Sequence, residues 1–466
     1  MQTPLRHLHF IGICGTAMGA VAVALQAQGF TVTGSDAGVY PPMSTFLQER
    51  GIPIASPFQP ENIPADADLI VVGNAISRGN PELEAVLNRR LRYISLPEAL
   101  RQFFLSGRHN AVVAGTHGKT TTSSLLTWIL QSAGLAPAYL IGGIAHNLGQ
   151  GCSLHESSHV VLEGDEYDTA FFDKRSKFLH YLPELVIINN LEFDHADIFR
   201  DLAEIQTSFR RLVLLVPQNG AVFVNADEPN ALEVTSASRA PVFTVGFSEN
   251  ATHRILNPRY GKGALFSLKN CEFELQIPGE FNVRNAAMAV AAAQFYGVAD
   301  ADIQKALASF EGVRRRQEVR GTVRGITIID DFGHHPTALQ QTLRALRHQY
   351  PGRRLWAVFE PRSNTTRRAI FQKSLPEALA EADGVLLSQV ARLDQLPEDN
   401  RLDPEQVVAD IAALGKPAFY EAGVPEILTR LGALAKEGDV IAIFSNGGFD
   451  NIHKRVLETL SEPLAS

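Results

Sequence analysis

The sequence predicts an α/β protein of three domains, each built around parallel strands. Three observations lead there. Short apolar, β-branched runs alternate with helical stretches of about ten residues or more, the pattern of βα units. Three of these units begin alike, with a strand, a short turn and a helix: His7 to Gly12 before an Ala-rich stretch to about Gln28; Ala111 to Thr122; and Ile326 to Asp331 before a stretch from Pro336 to about His348. A chain of 466 residues is also too long for one ordinary core. Breaks near Gly107 and between Gly312 and Gly321 divide it into residues 1–107, 108–313 and 314–466.

Hydrophobic content of 45% and charged content of 20% are those of a globular protein, and a net charge of −8 argues against a general nucleic-acid binder. Cys14, Cys152 and Cys271 are odd in number and lack metal-ligand spacing, which fits a reducing compartment. The opening residues Met1 to Arg6 carry no apolar leader, and no run approaches the length of a membrane span. The expectation is a cytoplasmic protein that neither enters a membrane nor binds nucleic acid.

In the first unit, Gly12-Ile13-Cys14-Gly15-Thr16-Ala17-Met18-Gly19 follows the strand. A helix start with exposed backbone N–H groups favours an anion. Cys14 stands where the dinucleotide pattern G-x-G-x-x-G needs its second glycine. Ser35 and Asp36 close the next strand, Thr31 to Asp36, where a ribose-binding acid would sit. NAD, another diphosphate such as a UDP-sugar, and a tight turn without ligand all remain open here.

The second unit carries the strongest signal, Ala114-Gly115-Thr116-His117-Gly118-Lys119-Thr120-Thr121-Thr122, ahead of a helix expected over Ser123 to Gln131. Gly115, Thr116, His117 and Gly118 offer backbone N–H groups to phosphate oxygens, and Lys119 adds a charge. The hydroxyls of Thr120 and Thr121 suit a nucleotide and its magnesium. Val113 occupies the place of the usual first glycine, so a plain glycine turn with a surface lysine is the alternative.

Strands are expected at Leu69 to Gly73, His159 to Leu162, Leu185 to Asn189, Val222 to Asn225, Leu355 to Phe359, Gly384 to Ser388 and Val440 to Phe444. Several end in polar residues, and ligands of open α/β sheets bind at strand carboxyl ends. Glu163-Gly164-Asp165-Glu166-Tyr167-Asp168 and Leu191-Glu192-Phe193-Asp194-His195-Ala196-Asp197 follow two of them. Thr120, Glu163 and His195 are candidate magnesium ligands, although a histidine is unusual beside a hard cation. Asn282 and Asn285 precede an Ala-rich helix, either as a cap or as amides that read adenine.

Arg314-Arg315-Arg316 at the second break is a solvated linker, or a hinge that brings guanidinium groups onto a transferring phosphate. Asp330-Asp331-Phe332-Gly333-His334-His335-Pro336 ends a strand and opens a helix, and Asp331 and His334 suit work on an amine. Glu360-Pro361-Arg362-Ser363-Asn364-Thr365 and Phe444-Ser445-Asn446-Gly447-Gly448-Phe449 end two more strands.

Taken together and in this order, these motifs resemble the Mur ligase family over essentially the whole chain. The resemblance implies a Rossmann-like, UDP-binding N-terminal domain, a central P-loop-type ATPase domain and a Rossmann-like C-terminal domain that binds the incoming amine. It implies ATP with Mg2+ and an acyl-phosphate intermediate, joining UDP-N-acetylmuramate to the tripeptide L-Ala-γ-D-Glu-meso-diaminopimelate in peptidoglycan recycling, with L-alanine as the alternative amine. Gly12, Cys14, Gly15, Thr16, Ser35 and Asp36 would then meet the UDP-sugar. Gly115 to Thr121 with Asn282 and Asn285 would meet ATP, and Thr120, Glu163 and His195 the metal. Lys119, Asp331, His334 and Arg316 would serve the chemistry. Arg362, Ser363 and Asn446 would meet the amine, Arg362 by pairing with a carboxylate. Several family members carry a carbamylated lysine after the Asp-His pair; residues 194–220 contain no lysine, so this chain lacks that device there. A monomer or weak homo-oligomer is expected. Two other classes, an NAD-dependent oxidoreductase and a nucleotide-gated binding module that forms no bond, are weighed against the ligase.

Overall fold

The computed structural model describes residues 5–461. Its first sheet is wholly parallel, in the order β3-β2-β1-β4-β5, with β1 His7–Ile11, β2 Thr31–Ser35, β3 Ile54–Ala55, β4 Leu69–Val72 and β5 Tyr93–Ser95. The order reverses beside β1, so its carboxyl end is the switch point where the glycine turn meets the helix Thr16–Ala27.

The central sheet runs β17-β16-β15-β14-β13-β12-β6-β9-β7-β8. Its strands are β6 His109–Ala114, β7 Ala138–Leu140, β8 Cys152–Ser153, β9 His159–Glu163, β12 Leu185–Ile188, β13 Ala221–Asn225, β14 Val242–Gly246, β15 His253–Tyr260, β16 Ala264–Leu268 and β17 Cys271–Leu275. A two-stranded ribbon, β10 Asp168–Ala170 with β11 Asp173–Ser176, stands apart from it. β6, β9 and β12 are parallel neighbours, so the phosphate loop, Glu163 and the Asn189–His195 segment all leave the same edge. Residues 111–114 and 185–188 are buried throughout, because helices cover both faces of this part of the sheet.

The third sheet, β18-β19-β23-β20-β21-β22, comprises β18 Glu318–Val323, β19 Ile326–Asp331, β20 Leu355–Phe359, β21 Gly384–Ser388, β22 Ala418–Glu421 and β23 Val440–Phe444, parallel except for β18. Alternate residues of β20 enter opposite cores, with Leu355, Ala357 and Phe359 on one face and Trp356 and Val358 on the other.

The α/β class and the parallel sheets are as the sequence predicts. The differences lie at element ends and edges. The helix after the phosphate loop begins at Lys119 rather than Ser123. Asn282 and Asn285 lie inside the helix Glu280–Phe295, whose N-cap is Gly279, so neither asparagine is a cap. The antiparallel pairs β15-β16 and β16-β17 extend the central sheet, where no alternating βα pattern marks them.

Candidate active site

The second glycine turn is fixed by its neighbours. Gly118 has φ +79°, and a Cβ there would stand 2.5 Å from Asn285 Oδ1 and 2.8 Å from Asn189 Nδ2. Glycine thus lets the loop lie on the helix that carries Asn285. Thr116 N–H donates to Asn190 O (3.2 Å) and His117 N–H to Asn190 Oδ1 (2.7 Å), which ties the loop to the end of β12.

Lys119 Nζ donates to Glu166 Oε1 (2.9 Å) and to Gly115 O (2.7 Å). His195 Nε2 meets the same Glu166 oxygen at 2.7 Å. Thr120 donates to Glu163 Oε1 (2.9 Å), and Gly142 N–H to Glu163 Oε2 (2.7 Å). Burial opposes every charge here, but mutual attraction prevails. Lys119 is held above its ordinary pKa by Glu166, Glu163 and Asp165. Glu166 falls to about 2 under Lys119 and His195, and His195 is raised by Glu166 and Asp194. Glu166 Oε2 is buried and, among the described residues, has no partner.

Two cavities meet at this cluster. One, of about 230 Å³, lies between residues 116–121 and the third sheet and is lined by Asn282, Asn285, Arg316, Asp331 and His334. The other, of about 970 Å³, lies against the first sheet and is lined by Gly12, Cys14, Gly15, Thr16, Asp36 and Tyr167. Lys119, Glu163 and His195 line both. An ionised lysine and carboxylate between two cavities can neutralise charge as a group passes from one to the other.

Several predicted residues prove to have other partners. Ser35 is fully buried and donates to Glu82, so its hydroxyl does not face the first-domain cavity, and the expectation of a ligand contact there is corrected. Asp36 lines that cavity but accepts from Cys14 N–H (2.9 Å) and Gly38 N–H (2.9 Å), bracing the first glycine turn. Asn282 donates to Pro278 O (2.7 Å), which leaves Asn285 against the loop. Asp331 accepts from Gln317 N–H (2.9 Å) and Gly333 N–H (2.7 Å), and burial raises its pKa. Arg316 lines the cavity with its guanidinium 5.1 Å from the Phe332 ring centre. Arg315 instead turns away, donating to Ser445 O (2.7 Å) and Gly447 O (2.8 Å), so of residues 314–316 only Arg314 is exposed as a solvated linker would be.

His334 Nε2 is 3.6 Å from Asp194 Oδ2. Arg362 meets Glu360 at 3.5 Å and lies close to Gly447, while Glu360 takes the Ser445 hydroxyl at 2.5 Å. Ser363 closes a local turn with Thr366, and the buried Asn446 Oδ1 has no partner among the described residues. His334 and Asp194 line the smaller cavity, whereas Arg362, Ser363 and Asn446 line neither.

Glu166 and Glu192 are the functional candidates that sequence reasoning left among the surrounding acids. The sequence holds the only signal for them, an extra carboxylate in each strand-end cluster.

The chain belongs to the Mur ligase family, enzymes that form amide bonds at the expense of ATP. Residues 7–108 match the Mur ligase family catalytic domain, residues 113–293 the Mur ligase middle domain and residues 315–447 the Mur ligase glutamate ligase domain. The UDP-N-acetylmuramate–L-alanyl-γ-D-glutamyl-meso-2,6-diaminoheptandioate ligase of Haemophilus influenzae is 43% identical, covering 98% of this chain and 99% of its own. The ligase of the same name from Escherichia coli is 42% identical, covering 98% of each chain. The crystal structure of a murein peptide ligase from Psychrobacter arcticus is 36% identical with a TM-score of 0.70, covering 99% of this chain and 100% of its own.

Proposed function

We propose that the protein joins UDP-N-acetylmuramate to the tripeptide L-Ala-γ-D-Glu-meso-diaminopimelate, with ATP converted to ADP and phosphate. The observation that carries this reading is the sharing of Lys119, Glu163 and His195 by the two cavities. The names of relatives 42–43% identical over nearly the whole chain support the amine assignment.

The smaller cavity takes ATP, with its phosphates on the backbone N–H groups of residues 115–121 and adenine beside Asn285. The larger takes the UDP-sugar, its diphosphate on the turn from Gly12 to Thr16. Lactyl carboxylate oxygen attacks the γ-phosphorus as the bond to the ADP oxygen breaks. The tripeptide amine, having lost a proton, then adds to the acyl carbon, and inorganic phosphate leaves. A carboxylate is a poor acyl donor, so phosphorylation supplies the leaving group, and the enzyme contributes position and charge.

Lys119 leaves Glu166 for the β- and γ-phosphates, and Arg316 meets the transferred phosphate from the third-domain side. His334 and Asp331 hold the amine end, Asp331 by fixing the loop it braces. Arg362, Ser363 and Asn446 meet the peptide. The donor set fits magnesium. Thr120 Oγ1 and Glu163 Oε1 are 2.9 Å apart, and His195 Nε2 and Glu166 Oε1 are 2.7 Å apart. The unpartnered Glu166 Oε2 is a further oxygen for magnesium. Bound magnesium would neutralise the phosphate and acyl oxygens.

The working domain limits are 1–107, 108–313 and 314–466. Among the described residues no helix is long and apolar enough to cross a membrane. The proposed setting is the cytoplasm, as a monomer or weak homo-oligomer. Incubation with ATP, UDP-N-acetylmuramate and, in turn, the tripeptide, L-Ala-γ-D-Glu and L-alanine tests the reading. The tripeptide should be ligated fastest; faster ligation of L-alanine would overturn the amine assignment.

A further inference from the structure

Glu192 lines neither cavity, yet it joins the phosphate loop to the third domain. Its backbone exchanges two hydrogen bonds with Thr116. Glu192 N–H donates to the Thr116 hydroxyl (2.9 Å), which donates to Glu192 O (3.2 Å). One carboxylate oxygen, Oε2, meets His117 Nε2 at 2.9 Å. The other, Oε1, accepts the hydroxyl of Thr337 at 3.0 Å, in the first turn of the helix Pro336–Gln349. His335 packs over the same point, its ring 4.6 Å from that of His117. Its Nδ1 is 3.3 Å from Glu192 Oε2 and also 3.3 Å from the Thr337 N–H. Burial favours a neutral His335 ring, so Nδ1 accepts from Thr337, and the donors to Glu192 are His117 and Thr337.

The three side chains His117, Glu192 and His335 are also spaced closely enough to admit a metal ion. Both Glu192 oxygens already have a hydrogen-bond donor, His117 for Oε2 and Thr337 for Oε1, so the carboxylate is complete as a hydrogen-bond acceptor. That completeness is the informative feature. A partly buried carboxylate divides its two oxygens between a loop residue of the central domain and a helix start of the third, and withdrawing either donor leaves one oxygen without its partner.

We propose that Glu192 is a positioning residue that couples the setting of the phosphate loop to closure of the third domain. The proposal rests on the ligase reading. With the third domain docked, Thr337 and His117 share one carboxylate. With it withdrawn, Oε1 is uncovered and His117 loses the constraint from that side. Because coupling is reciprocal, a loop set by nucleotide favours docking, and docking favours the set loop.

The test uses the full-length enzyme with ATP, UDP-N-acetylmuramate and tripeptide. Glu192→Gln should lower kcat about tenfold, within the range of ordinary coupling energies, while KM for the UDP-sugar is unchanged. Thr337→Val should lower kcat less, Thr337→Ser should restore it, and Glu192→Gln with Thr337→Val together should be no slower than Glu192→Gln alone. Small-angle scattering with a non-hydrolysable ATP analogue should show compaction of the wild type and a weaker response in Glu192→Gln. Additive kcat losses, or normal compaction in Glu192→Gln, overturn the coupling. Should Glu192→Gln fail to fold, the Thr337 pair decides: a Thr337→Val enzyme as fast as wild type overturns it. Wild type that ligates no tripeptide instead refutes the ligase reading on which the proposal rests.

Discussion

The molecule contains two glycine turns in the same strand–turn–helix setting, entered through different backbone conformations, Gly15 extended and Gly118 left-handed, and the proposed function gives them different work. Each follows a strand at a parallel-sheet switch region and opens a helix, at Thr16 and at Lys119. The first turn has no cation, and its acid, Asp36, is used up on the backbone N–H groups of Cys14 and Gly38. The second has Lys119 and Thr120, each already directed at a carboxylate, Glu166 and Glu163. A helix start with backbone donors suffices to hold an anion. Moving a phosphoryl group also needs a cation, and of the two turns the second carries one, Lys119, on the function proposed above.

The comparison can be broken most severely at Lys119. Lys119→Ala should cut phosphate release by on the order of 10²–10³, the scale of losing one charge-stabilising donor, while UDP-sugar binding by calorimetry persists. Phosphate release at the wild-type rate would make the two turns equivalent. His195→Ala should raise the magnesium needed for half-maximal rate by on the order of 10–100-fold, as lost metal-site contacts generally do. A titration that overlays the wild type returns His195 to a structural role.

Asp36→Asn sharpens the other side of the comparison. It weakens a charge-assisted brace on the first turn and should lower UDP-sugar affinity about tenfold with ATP affinity unchanged. An equal loss for both ligands would show that the turns are not independent.

The smallest effect is on stability in acid. Burial opposes the charge of Glu192, but His117 and the Thr337 hydroxyl hold its pKa at about 2, against an ordinary 4.5. A group depressed in the folded state stabilises above its unfolded pKa, and that contribution disappears as pH falls through the folded value. Between 4.5 and 2, the thermal midpoint of wild type should therefore fall more steeply than that of Glu192→Gln. Parallel curves would mean that Glu192 is not held by those two donors.

Much of this was legible in the chain because the signals are local. The strand, glycine turn and helix of each βα unit lie within a few residues, and Lys119 and Thr120 carry their chemistry in a contiguous motif. Asp36 was placed correctly at a strand end, but its partner Cys14 is 22 residues away, and that pairing converts a ligand contact into a brace. Ser35 is withdrawn by Glu82, 47 residues on, in the same way. Arg315 and Arg316 are indistinguishable in sequence; only the fold sends one to Ser445 and Gly447 and leaves the other at the cavity. Glu166 and Glu192 lie within acidic runs, and what sets them apart is contact with Lys119, His195, His117 and Thr337, all distant along the chain. The antiparallel strands β15 to β17 have no helix between them, so nothing in a βα pattern announces them.

The central claim is that the substrate acid is phosphorylated at Lys119 before it meets nitrogen. Oxygen-18 in the lactyl carboxylate of UDP-N-acetylmuramate tests it directly, by mass analysis of the inorganic phosphate released during ligation with the tripeptide. The account predicts one labelled oxygen per phosphate; ligation at full rate with unlabelled phosphate would contradict it.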